Sequence, residues 1–96
     1  MANVEDTLVQ RNNVHGDYTK SASIKDQIIL RLERSPNWDK MDSVGRQTLR
    51  MIVEKIGRVM FGDWSFVDHW HDIAGYSTLM QYHCEDIANA ESSSKD

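Results

Sequence analysis

Between Leu49 and Met60, apolar residues recur at three- and four-residue steps: Leu49, Ile52, Val53, Ile56, Val59, Met60. That is the period of one α-helical face, with Asp42 or Ser43 placed to cap its start and Gly62 to stop it. A helix with one apolar stripe has to cover it, so the rest of the chain must supply helices or strands of matching size. Upstream, Val4, Leu8 and Val9 give a short helical pattern that breaks at Asn12-Asn13 and His15-Gly16-Asp17-Tyr18. A second helix follows, with Ser23 and Asp26 in a capping arrangement and Ala22, Ile24, Ile28, Ile29 and Leu32 at helical steps to about Arg34. Ser35-Pro36-Asn37 ends it, because proline disfavours helical geometry in the residue before it. A fourth helix is predicted from about Phe66 to Ala88, turning Trp70, Ile73, Ala74, Met80 and Ile87 inward with Tyr76 and Leu79 beside them. No alternating, β-branched segment competes. The predicted class is all-α, a small antiparallel bundle of about four helices forming one domain over residues 1–90, with 91–96 as a disordered polar tail.

Ninety-six residues allow one core, and a 40% hydrophobic, 27% charged composition is that of a globular chain. No apolar run approaches the roughly 20 residues that cross a bilayer, and the first residues lack the pattern of a signal peptide. A cytoplasmic protein without membrane association is therefore expected. The single Cys84 excludes an intramolecular disulfide and leaves too few thiolates for a structural zinc site. A net charge of −4 argues against nonspecific nucleic-acid binding, although residues 43–60 hold Arg46, Arg50, Lys55 and Arg58 against Glu54 alone. Because a chain of this length buries only roughly 60–65% of its unfolded surface, a homodimer is expected.

The densest polar constellation is Asp68-His69-Trp70-His71-Asp72. On a helix Asp68 and Asp72 stand one turn apart, and paired carboxylate oxygens suit Mg²⁺ carrying a phosphorylated substrate. The same two residues also complement the positive end of a helix dipole, leaving the histidines in solvent. Arg46, Arg50, Glu54 and Arg58 share a face of helix three, either as an ion-pair ladder or as a clamp for phosphate oxygens. Lys55 lies one position off that face, within reach of Asp68 and Asp72 if helices three and four are antiparallel. His15-Gly16-Asp17-Tyr18 combines a glycine with three ligand-capable side chains, or else forms a turn in which Asp17 caps and Tyr18 packs. Trp38 and Trp64 either stack a base or bury at the core rim.

Together, His15-Gly16-Asp17-Tyr18, Asn37-Trp38, Glu54-Lys55-Ile56-Gly57-Arg58 with Gly62, and Asp68-His69-Trp70-His71-Asp72-Ile73-Ala74-Gly75-Tyr76 resemble a small uncharacterised domain family of bacteriophages and prophages. The resemblance spans residues 11–82 and implies a viral origin, hence the cytoplasm of a host cell. A more distant likeness is to the phage nucleotide-modification-associated domains, and beyond them to the all-α, MazG-type nucleotide pyrophosphatases. It implies a nucleotide or phosphate ligand held by His15, Asp17, Tyr18, Lys55, Arg58, His69 and Trp70. Glu54, Asp68 and Asp72 are the implied Mg²⁺ ligands, and association into dimers is implied as well. MazG-type enzymes pair two acidic residues on each of two helices, whereas helix three here offers Glu54 alone. Binding is therefore ranked above hydrolysis, with Mg-dependent nucleotide pyrophosphohydrolysis as the reaction if there is one. The rival reading is a viral antagonist that binds and inhibits a host defence or metabolic protein without catalysis.

Overall fold

The computed structural model describes residues 3–94, and it is all-α as the periodicity predicts. Four helices, α1 (Val4–His15), α2 (Tyr18–Glu33), α3 (Ser43–Phe61) and α4 (Val67–Ser94), are joined by short connections, with a 3₁₀ turn at Trp38–Lys40 before α3. α3 is the centre: α2 packs along one flank and α4 along the other, while α1 touches α3 near its C-terminal end.

The caps explain the boundaries. Asp42 Oδ1 accepts from the Gly45 amide at 2.9 Å to open α3, and the chain leaves that helix at Gly62. α2 opens earlier than its Ser23–Asp26 spacing predicts. Asp17 accepts from the Lys20 amide at 3.1 Å, so the first turn forms at Tyr18, whereas the Ser23 hydroxyl accepts from Gln27 Nε2 within the helix. α4 runs six residues beyond the predicted Ala88 to Ser94, so the first part of the expected polar tail continues the helix; Lys95 and Asp96 lie outside the described residues. Near the start of α3, His83 Nε2 stands 2.6 Å from Asp42 Oδ2 and Cys84 lines a groove with Leu49 and Ile52, and every residue from Cys84 to Ser93 is exposed.

The inward face of α4 is the predicted one only in part: Ile73, Met80 and Tyr76 turn inward as expected. Trp70, Ala74, Leu79 and Ile87 are exposed, while His69 is 1% exposed and Asp72, Ile73, Tyr76, Met80 and His83 are half-buried. Positions 69, 72, 73, 76, 80 and 83 follow the helical repeat and face α3. Polar groups carry half of this stripe, because α3 offers Lys55 as a partner for Asp72 at 2.9 Å and because Asp42 receives His83.

The ladder predicted on α3 divides into two. Arg46 donates from Nε to the Trp38 carbonyl (3.0 Å) and from its terminal nitrogen to the Asp39 carbonyl (3.2 Å), and the Arg50 guanidinium stands 5.2 Å over the Trp38 ring. These contacts bury Trp38 beneath the 3₁₀ turn, where it is a core residue with no face free for a base. Glu54 pairs with Lys25 of α2 at 2.8 Å and with Arg58 at 3.9 Å, and not with Arg50.

Candidate ligand-binding site

His15-Gly16-Asp17-Tyr18 is the joint that fixes the site. Gly16 has φ 89° and ψ 174°, a backbone region that side chains other than hydrogen rarely allow. A Cβ there would also lie 2.5–2.7 Å from the backbone of Phe61. Gly62 is as tightly confined from the other side, where a Cβ would strike the Val14 carbonyl and the Gly16 nitrogen. The α1–α2 turn and the α3–α4 turn thus press backbone on backbone. Two donors seal the joint: the Asp63 amide (2.9 Å) and the buried His69 Nε2 (3.0 Å) both reach the Val14 carbonyl. Around them the rings of His15, Phe66 and His69 pack edge to face or tilted, with centroids 5.1–6.2 Å apart.

On the α3 side of this joint opens a cleft of about 380 Å³ between α1, the start of α2 and the middle of α3. Arg11 and Asn12 line it from α1, His15 and Gly16 from the turn, Tyr18, Ser21 and Lys25 from α2, and Glu54 and Arg58 from α3. Three cations and one carboxylate therefore meet in a protein whose overall charge is −4. Lys25 takes the close contact with Glu54, Arg58 stands at the longer 3.9 Å, and Arg11 has no ion pair among the described residues. The Lys25 ammonium also sits 5.3 Å from the centre of the largely exposed Tyr18 ring at the mouth. His15 keeps its Nδ1 buried without a hydrogen-bond partner. Burial, reinforced by Arg58, His69, Arg11 and Lys55, holds its pKa below the ordinary 6.5, so the ring is neutral at pH 7. A neutral imidazole with its proton on Nδ1 is a donor waiting for an acceptor. A larger but more open depression of about 590 Å³ lies over Trp38, Arg46, Arg50 and Tyr76, and its arginines are already committed to the 3₁₀ turn.

Of the residues singled out from sequence, His15, Tyr18, Glu54 and Arg58 come together in the cleft. The others do not line it. Asp17 caps α2, and His69 is the buried strut of the joint. Lys55 is buried against Asp72, whose carboxyl is held below its usual pKa chiefly by the Lys55 hydrogen bond. Trp70 is exposed on the outer side of α4 and donates from Nε1 to the Trp64 carbonyl at 2.7 Å. Asp68 is exposed in the first turn of α4, where its charge suits the helix dipole. Glu54, Asp68 and Asp72 therefore do not converge: two of them face ammonium or guanidinium groups, and no group of three or more His, Cys, Asp or Glu with metal-binding geometry occurs among the described residues. Arg11, Asn12 and Lys25 are cleft residues that the sequence reading missed. The signal for them was the pair Gly16 and Gly62, since two glycines pressed together swing α1 across α3.

No family model matches the chain, and neither the curated proteins nor the solved structures give a match. Among the described residues no helix is long and apolar enough to cross a membrane.

Proposed function

We propose that this chain binds a small phosphate-bearing ligand, a nucleotide or a related anion, in the cleft between α1, α2 and α3. The observation that carries this reading is the convergence of Arg11, Lys25 and Arg58 on one concavity with only Glu54 to balance them. Arginine forks fit phosphate oxygens two at a time, and the cleft falls within the volume range of small-ligand sites. His15 brings a buried, unpartnered Nδ1 to the wall of the cleft, and Tyr18 at the mouth offers a ring on which a base can stack. This reading ranks binding above turnover, because the one carboxylate of the cleft, Glu54, is taken up by Lys25. It accords with the phage accessory protein that the sequence resemblance implies.

Calorimetric titration with inorganic phosphate and with nucleoside mono-, di- and triphosphates and cyclic nucleotides, each with and without Mg²⁺, tests it. At least one of them should saturate at a single site. Arg58→Gln and Arg11→Gln should each weaken binding roughly 10- to 100-fold, as expected for losing a hydrogen bond to a charged group worth about 1.5–3 kcal/mol. Absence of binding across the panel refutes the reading.

A second reading has its own observation. Trp64 (69% exposed) and Trp70 (52%) are joined by the Trp70 hydrogen bond and stand beside exposed Val67, an aromatic patch of the kind that anchors protein interfaces. An antagonist of a host protein would use this patch. Trp64→Ala with Trp70→Ala would then abolish partner capture and leave anion binding unchanged.

A further inference from the structure

Glu54 is the one carboxylate in a cleft that otherwise offers cations. Lys25 takes one of its oxygens. Gly57 leaves the surface of α3 bare where α2 lies over it, and the Lys25 stem fills that space: a Cβ at Gly57 would come within 2.7 Å of Lys25 Cδ. The stem thereby carries the ammonium to Glu54 Oε2 at 2.8 Å, with the two side chains 13% and 34% exposed. The other oxygen is uncommitted. Arg58 Nε stands 3.9 Å from Glu54 Oε1, beyond hydrogen-bond reach, and among the described residues nothing donates to that atom.

An ionised carboxylate can only accept, so inside an anion site it disfavours a ligand made of negative oxygens alone and favours one that brings a donor beside its phosphate. Charge limits the number of phosphates. Arg11, Lys25 and Arg58 set against Glu54 leave an excess of two positive charges, with His15 neutral at pH 7. A phosphomonoester carries about −1.5 to −2 at that pH and is balanced by this excess. Each further phosphate adds charge that nothing in the cleft offsets and that Glu54 repels. The order of the groups completes the match. From the exposed Tyr18 ring the contacts run to the Lys25 ammonium at 5.3 Å, from there to Glu54, and from Glu54 to Arg58. A nucleotide has the same order: a flat base, a ribose with hydroxyl donors, then phosphate.

We infer that the cleft takes a nucleoside 5′-monophosphate, with its base on Tyr18, a ribose hydroxyl donating to Glu54 Oε1 and its single phosphate on Arg58 and Arg11, and that Glu54 discriminates against inorganic phosphate and polyphosphates. The inference rests on the anion-binding reading of this cleft and adds the class of anion.

Calorimetric titration of the full chain at pH 7 without Mg²⁺ tests it, comparing the common ribonucleoside 5′-monophosphates, their 5′-triphosphates, ribose 5-phosphate and inorganic phosphate. The best monophosphate should bind about tenfold or more tighter than its own triphosphate and than inorganic phosphate. Ribose 5-phosphate should be weaker than that nucleotide by the roughly 5- to 150-fold that stacking a base on an aromatic ring is worth. Glu54→Gln keeps an acceptor for Lys25 and removes the charge, so it should raise the affinity for the triphosphate relative to the monophosphate by about tenfold, with helical circular dichroism unchanged. A Glu54 that merely positions Lys25 would lower both affinities alike and leave their ratio fixed, which overturns the inference. So does a wild type that takes the triphosphate, inorganic phosphate or ribose 5-phosphate as tightly as any nucleoside monophosphate, and this wild-type ranking decides by itself should the variant lose its fold. In that case binding that Arg58→Gln weakens still upholds the anion site, whereas binding of none of these ligands overturns the site and the inference together.

Discussion

Replacing Gly16 with alanine tests the joint on which the cleft depends. Its φ of 89° with ψ of 174° lies where a Cβ costs about 1–3 kcal/mol in backbone strain alone. The new atom would also sit 2.5–2.7 Å from Phe61 backbone atoms, a contact relieved only by withdrawing the α1–α2 turn from α3. Withdrawal breaks the two hydrogen bonds on the Val14 carbonyl, each worth about 0.5–1.5 kcal/mol. A total near 3 kcal/mol is a large share of the roughly 5–14 kcal/mol that holds a chain of this length folded. At about 4–8 °C per kcal/mol it lowers the melting temperature by roughly 12–24 °C. Circular dichroism melts read this directly, at equal protein concentration because association shifts the midpoint. Gly75→Ala is the control: its Cβ meets nothing within 4 Å, so within α4 it should stabilise by about 0.5–1 kcal/mol. The reasoning fails if Gly16→Ala melts within about 2 °C of the wild type.

His69→Phe keeps most of the buried ring and loses the bond to Val14, so denaturant titration should show a loss of about 1 kcal/mol, whereas His69→Ala adds a cavity and should lose about 2–4 kcal/mol. Equal losses would contradict the role of ring packing. Stability should fall on acidification in two windows. The folded state holds His15 below its ordinary 6.5, so below pH 6.5 the unfolded chain binds the extra proton and stability declines; His15→Gln should remove this first decline. The second begins as pH falls through 3.8, where Asp42, Asp63 and Asp72, all held low in the fold, are protonated more readily in the unfolded chain. Chemical denaturation at intervals from pH 8 to pH 3 measures both, and a flat profile between pH 7 and pH 5 would rule out the neutral, buried His15.

The elements were legible where apolar residues carried the period and obscure where polar ones did. α3 announces itself through Leu49, Ile52 and Val53, and its Asp42 cap and Gly62 stop are where the spacing puts them. Ile56 and Met60 of that stripe are nevertheless exposed, because hydrophobic periodicity marks a face without saying whether the same chain covers it. In α4 the inward face carries Ile73, Tyr76 and Met80 together with His69, Asp72 and His83, whose polar atoms find partners only after folding. Hydrophobicity therefore located Ile73, Met80 and Tyr76 and erred at Trp70, Ala74, Leu79 and Ile87, which are exposed. The Lys55–Asp72 pair was legible because antiparallel helices bring those positions together. The cleft was legible by half: His15, Tyr18, Glu54 and Arg58 stood out in their motifs, while Arg11 and Lys25 lie on helices whose relative placement follows from the Gly16–Gly62 contact, a backbone packing that no periodicity encodes.

The central claim, that an anion occupies the α1–α2–α3 cleft, is tested most directly by mapping amide chemical shifts of the ¹⁵N-labelled protein during titration with the tightest ligand of the nucleotide and phosphate panel. The largest saturable changes should fall on Arg11 to Tyr18, on Lys25 and on Glu54 to Arg58, the residues that enclose the cleft. Changes centred on Trp64 and Trp70, or none at ligand concentrations in the millimolar range, would contradict it.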